Sequence, residues 1–143
     1  MNEIDHIAIA VTSIQATVRQ LERLLGWSFS SVQEVPNQEV KTSFARIGQV
    51  KIELLEPLSD QSKIQTFLEK RGEGLHHIAL KTINLNEQLL QLGQKGVQLL
   101  QQTPEAGAEG KQIAFISPHE TSGVLIELCE PVEERRNVHG RLD

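Results

Sequence analysis

The sequence predicts an α+β fold made from two copies of one strand–helix–hairpin unit, related by a pseudo-twofold axis. Three observations predict it. Asp5-His6-Ile7-Ala8 recurs as His76-His77-Ile78-Ala79. Lys51-Ile52-Glu53-Leu54-Leu55-Glu56-Pro57 recurs as Leu125-Ile126-Glu127-Leu128-Cys129-Glu130-Pro131. The same order of elements fits between the repeated segments in both halves. His6 and His77 are 71 residues apart and Glu53 and Glu127 are 74 apart, a slip of three that a longer hairpin loop in the second half absorbs.

Residues 4–11 alternate, with His6, Ala8 and Ala10 on one face and Ile7, Ile9 and Val11 on the other, as in a strand covered on one side. Ser13 is placed to cap a helix whose apolar stripe is Ile14, Val18, Leu21 and Leu25, and Gly26 suits its left-handed end. Residues 40–47 and 50–55, broken at Gly48-Gln49, predict a hairpin in which Ile52 and Leu54 face the helix and Glu53 faces away with Lys51 and Leu55. A linker helix over 62–71 follows, with Ile64, Phe67 and Leu68 inward and Gly72 as its stop.

The second copy repeats the plan. His77, Ala79 and Lys81 oppose Ile78 and Leu80. Asn84 with Glu87 forms a capping box for a helix with the stripe Leu85, Leu89 and Leu92, ended by Gly96. Residues 111–116 and 123–129 supply the closing strands, with Glu127 opposite Ile126 and Leu128. Residues 101–110, rich in Gly, Ala, Glu and Pro, are the longest connection without periodicity and a candidate cover for a site. The expected organisation is one domain over 1–143: module one about 4–57, the linker helix 62–71, module two about 75–131 and a polar tail 132–143.

Composition narrows the function classes. At 143 residues the chain is long enough to bury about 70% of its unfolded surface without disulfide staples. A net charge of -5, with Arg135-Arg136 as its one basic pair in the tail, predicts no nucleic-acid partner and no acidic-membrane partner. The single Cys129 and the lack of an apolar run at the start predict a cytoplasmic protein.

A histidine on an apolar strand is more often structural, and a glutamate on a strand more often faces water. His6, Glu53, His77 and Glu127 differ by occurring together at matching places of a repeat, on open faces, beside the small Ala8 and Ala79. Two imidazoles and two carboxylates are a donor set for a divalent first-row ion: cobalt, zinc, nickel or manganese. Four ligands close a tetrahedral site; a six-coordinate ion keeps two positions for substrate oxygens. His76 points to the covered face, His119 sits in the turn Ser117-Pro118-His119-Glu120, and His139 lies in the tail, so none is assigned to the metal. Cys129 shares the face of Glu127 and is read as packing.

The stretches DHIAIAV, KIELLEPL, FLEKRGEGLHHIAL and GVLIELCEP resemble the vicinal oxygen chelate superfamily of paired βαβββ modules, and within it the methylmalonyl-CoA epimerase family. The likeness runs from about residue 4 to 131. It implies a curved mixed sheet around a metal site held by His6, Glu53, His77 and Glu127, and a homodimer. Three departures stand out. Thr42 occupies a position where some members carry a catalytic glutamate, Ser117-Pro118-His119 stands where His-Pro-Lys is frequent, and helix 1 ends in Leu24-Leu25-Gly26 without the paired aromatics of many relatives.

The expected activity is epimerisation of R and S 2-methylmalonyl-CoA, an acyl-CoA substrate, by abstraction of its alpha proton through a metal-stabilised enolate. Glu127 is the first expected base and Glu53 the second. A glyoxalase I-like lyase acting on a thiol hemithioacetal uses the same chemistry and is the alternative enzyme. A small-ligand binding protein of the same fold is the alternative without turnover. A thiol transferase of the fosfomycin type uses three protein ligands, and an extradiol dioxygenase wants a two-histidine, one-carboxylate face.

Overall fold

The computed structural model describes residues 3–132. The polar tail from residue 133 on, and His139 with it, lies outside the described residues. Among the described residues, eight strands and three α-helices make an α+β fold that divides into two compact units. One is His6–His76; the other takes in the residues from His77 on together with Asp5 and those just before it. The helix over 62–71 is therefore part of the first unit rather than a free connection.

In the first unit the order is β1 (Ile4–Ala10, from His6 on), α1 (Ile14–Leu25), β2 (Gln33–Val35), β3 (Val40–Ile47), β4 (Val50–Pro57) and α2 (Lys63–Arg71). β1 pairs parallel with β4, β4 antiparallel with β3, and β3 antiparallel with β2. Ser13 caps α1 through the Ala16 N–H, and Gly26, at φ +70°, closes it by donating to the Glu22 carbonyl at 2.9 Å. The helix covers one face of the sheet, where Val11, Ile14 and Leu54 are buried with Ile9, Val18, Leu21 and Ile52 around them. Leu25, expected in that stripe, is instead more than half exposed as the last residue of the helix.

The second unit runs β5 (Gly74–Lys81, from His77 on), α3 (Leu85–Gln94), β6 (Glu105–Ala106), β7 (Gln112–Ile116) and β8 (Ile126–Glu130). Its pairings repeat those of the first: β5 parallel with β8, β8 antiparallel with β7, β7 antiparallel with β6. Each unit is thus a βαβββ module. Leu85, Leu89, Leu99, Ala114 and Leu128 form its core beneath α3. Leu54 and Leu128, which correspond in the repeat, are both fully buried, each worth about 1.5–3 kcal/mol in removed apolar surface.

Two strands escape the period-2 reading. β2 has three residues and β6 two, too short to show alternation. β6 also means that residues 101–110 are not simply a cover: Glu105 and Ala106 pair with Ile113 and Gln112. The slip of three is located by register. Phe44 pairs with Glu53 across a hairpin closed by Gly48-Gln49, and Phe115 pairs with Glu127 across a longer one that contains the 3-10 turn Pro118–Glu120.

Candidate metal centre

Strand parity puts the four expected ligands on the faces opposite the helices. In the first unit Ala8 pairs with Glu53, and His6 lies two residues back on the same face of β1. The His6 Nε2 is 3.2 Å from Glu53 Oε1. In the second unit Ala79 pairs with Glu127, two residues on from His77, whose Nε2 is 3.3 Å from Glu127 Oε1. The alanines matter here. A larger side chain at Ala8 or Ala79, both fully buried, would fill the space the imidazole and carboxylate share.

Phe44 and Phe115 were not singled out by sequence. The Phe44 ring meets His6 edge to face at 6.0 Å, and Phe115 meets His77 in the same manner at 5.5 Å. Each phenyl thus forms a wall that restricts the orientation of one imidazole. A signal existed: each precedes the glutamate of its own repeat across the hairpin, nine residues before Glu53 and twelve before Glu127.

The second unit also buries an ion pair. Lys111 Nζ lies 2.8 Å from Asp5 Oδ2 and 3.4 Å from Glu109 Oε1. Burial pulls the Lys111 ammonium toward neutrality, but the charge and hydrogen bond of Asp5, joined by Cys129 and Glu109, together outweigh it and hold the pKa above the ordinary lysine value. Cys129 packs with Ala79 and Ile113. Burial first, then the charges of Asp5 and Glu127, push its thiol far up, so it is neutral near pH 7 and inert as a nucleophile.

The remaining positions are placed as follows. His76 packs its ring edge-on against Phe67 of α2 at 4.9 Å. His119 lies in the 3-10 turn before β8. Thr42 faces the same side of β3 as Phe44 and pairs with Leu55; it is 1% exposed and its hydroxyl has no hydrogen-bond partner among the described residues.

The donors fit a divalent ion. His6, Glu53, His77 and Glu127 are 3, 5, 6 and 4% exposed, so all four donors are withdrawn from water, as the ligands of a buried ion must be. Ligand atoms bound to one ion at about 2.0–2.2 Å, with angles between octahedral and tetrahedral, lie about 2.8–3.6 Å apart. Both imidazole–carboxylate separations fall in that range. Imidazole nitrogens and carboxylate oxygens suit first-row ions of borderline hardness.

Together, the two βαβββ modules and the matched pairs of histidine and glutamate define a class, and comparison with known proteins agrees. The Glyoxalase/Bleomycin resistance protein/Dioxygenase superfamily matches residues 5–115, and the chain belongs to that family. It is 33% identical to the human mitochondrial methylmalonyl-CoA epimerase over 129 residues, 90% of this chain and 73% of that one. It is 50% identical to the Bacillus subtilis (strain 168) uncharacterized protein YqjC over 139 residues, 97% of this chain and 99% of that one. Among solved structures, it is similar to Streptomyces coelicolor methylmalonyl-CoA epimerase in complex with 2-nitronate-propionyl-CoA, with a TM-score of 0.86 and 32% identity over 91% of this chain and 94% of that chain.

Proposed function

We propose that the two imidazole–carboxylate pairs close on one divalent ion and that the protein interconverts R and S 2-methylmalonyl-CoA. The observation that carries the reading is the repeated pair: His6 with Glu53 and His77 with Glu127, buried to the same degree and at the same separation in both modules. The epimerases among its relatives support the substrate class. Cobalt, zinc, nickel and manganese all satisfy the donor set.

A bound divalent ion supplies Lewis-acid stabilisation for the negative charge that develops when the alpha proton leaves. The chain supplies the rest. Glu127 is the first base and Glu53 the second: a carboxylate oxygen takes the proton from the alpha carbon, the electron pair of the C–H bond moves toward the thioester carbonyl oxygen, and a proton returned to the opposite face inverts the centre. Phe44 and Phe115 hold the two imidazoles, and the buried setting excludes the water that would screen the developing charge. The working form is a homodimer in the cytoplasm; among the described residues no helix is long and apolar enough to cross a membrane.

The test is exchange. Metal-loaded protein incubated with methylmalonyl-CoA in deuterated water should replace the alpha proton without consuming the thioester, as followed by NMR. No exchange, together with turnover of the methylglyoxal–glutathione adduct, would move the assignment to the glyoxalase-like lyase.

A further inference from the structure

We infer that the Thr42 hydroxyl is a hydrogen-bond donor to the free carboxylate of the bound acyl group, and so a residue that selects 2-carboxyacyl thioesters over plain acyl thioesters. This deepens the epimerase reading and rests on it. The observation is a buried polar atom without a partner: Thr42 is 1% exposed, and its Oγ1 makes no hydrogen bond among the described residues. Native interiors rarely keep such an atom, because a desolvated donor left unsatisfied weakens the fold while a methyl group of the same size does not.

Its neighbour shows that the position is not one where hydroxyls go unpaired by accident. Ser43, next in β3 and facing the helix side, donates through its Oγ to the Ser30 carbonyl at 2.7 Å. Thr42 faces the opposite side, where the strand alternation and the register put Phe44 and Glu53 two residues further along the paired strands. That is the face of the His6–Glu53 pair, deep within the strands rather than at a rim. A partner reaching this depth belongs to the reacting end of a ligand, not to its nucleotide end. The oxygen-rich group distinguishing a 2-carboxyacyl thioester from its parent is the carboxylate, which accepts hydrogen bonds and donates none. A hydroxyl aimed at it gives a charge-assisted bond, and a site built around such a bond discriminates strongly against ligands lacking the acceptor.

The experiment uses the metal-loaded full chain and two probes, methylmalonyl-CoA and propionyl-CoA, titrated calorimetrically into wild type, Thr42→Val and Thr42→Ser. Thr42→Val should weaken methylmalonyl-CoA binding roughly tenfold to a hundredfold, the range for a hydrogen bond to a charged group. Propionyl-CoA binding and Tm should not fall, and Thr42→Ser should restore most of the affinity. Equal loss for both probes, or no loss for either, as when the hydroxyl holds only a structural water, overturns the inference. Wild-type deuterium exchange measured alongside separates the two readings. Exchange with an indifferent Thr42→Val removes this inference and leaves the epimerase; selective loss without exchange removes the epimerase and leaves the carboxylate contact; a wild type that binds neither probe removes both.

Discussion

The Glu56 carboxylate accepts a hydrogen bond from the backbone N–H of Ile14 at 2.8 Å. Glu130 does the same for Leu85, also at 2.8 Å. The last glutamate of each repeated motif therefore ties the end of a closing strand to the first turn of its module's helix, satisfying an N–H that the helix leaves open and placing negative charge at the positive end of the dipole. Replacing Glu130 with Ala should cost about 1–2 kcal/mol of stability, measured by urea unfolding, with metal content unchanged. A loss too small to resolve would mean that water serves that N–H equally well.

Metal content is the next expectation. A His6→Ala, His77→Ala double variant should lose the ion, while a His119→Ala variant, altered in the turn Pro118–Glu120, should keep it. Added cobalt or zinc should raise the Tm of wild type, by about 2.7 kcal/mol of linkage at a hundredfold excess over Kd, and leave the double variant unmoved. Full metal stoichiometry in the double variant would sink the shared-ion proposal.

Glu127→Gln retains an oxygen donor and removes the base. Alpha-proton exchange should fall by roughly two to four orders of magnitude with the ion still bound. Thr42→Val should be much milder, because a hydroxyl that donates a hydrogen bond carries no proton transfer. Equal damage from the two variants would argue against Glu127 as the base.

The Lys111–Asp5 pair gives a pH dependence with a definite sign. The folded-state pKa of Lys111 lies above its unfolded value, so its stabilisation is complete below the unfolded value of about 10.4 and is lost as pH rises beyond it, where only the unfolded chain gives up the proton. Lys111→Met removes the cation that faces the buried Asp5 and should cost about 3–5 kcal/mol near neutrality. The gap between wild type and variant, read from denaturant midpoints, should stay constant through neutral pH and narrow above about pH 10.4. A gap that instead widens in alkali would show that Lys111 is neutral in the folded protein.

Much of this was legible in the residues. Ser13 and Asn84 cap α1 and α3 as their chemistry implies, each accepting from an N–H three residues on, while Ser62, read as the first residue of its helix, is instead the cap of α2. Asn84 and Glu87 also join through their side chains at 3.2 Å. β3 occupies the residues that its alternation marks, Val40–Ile47. Glu56 and Glu130 stood in the same repeated motif as Glu53 and Glu127, but a glutamate beside a proline at a strand end looks like solvent-facing punctuation until the helix start is seen above it.

What the sequence determined by itself is periodic and local: which residues alternate, where a helix begins and ends, and that one histidine and one glutamate recur in each half. These follow from dihedral preference and from the side-chain period of two in a strand, which needs no distant partner. The tertiary structure decided what depends on register across strands. It set Phe44 opposite Glu53 and Phe115 opposite Glu127, brought Lys111 within 2.8 Å of Asp5 across 106 residues of chain, and left the Thr42 hydroxyl buried without a partner among the described residues. Pairing energy is spent between residues far apart in sequence, so strands as short as β2 and β6, and contacts as long-ranged as these, carry no local signature.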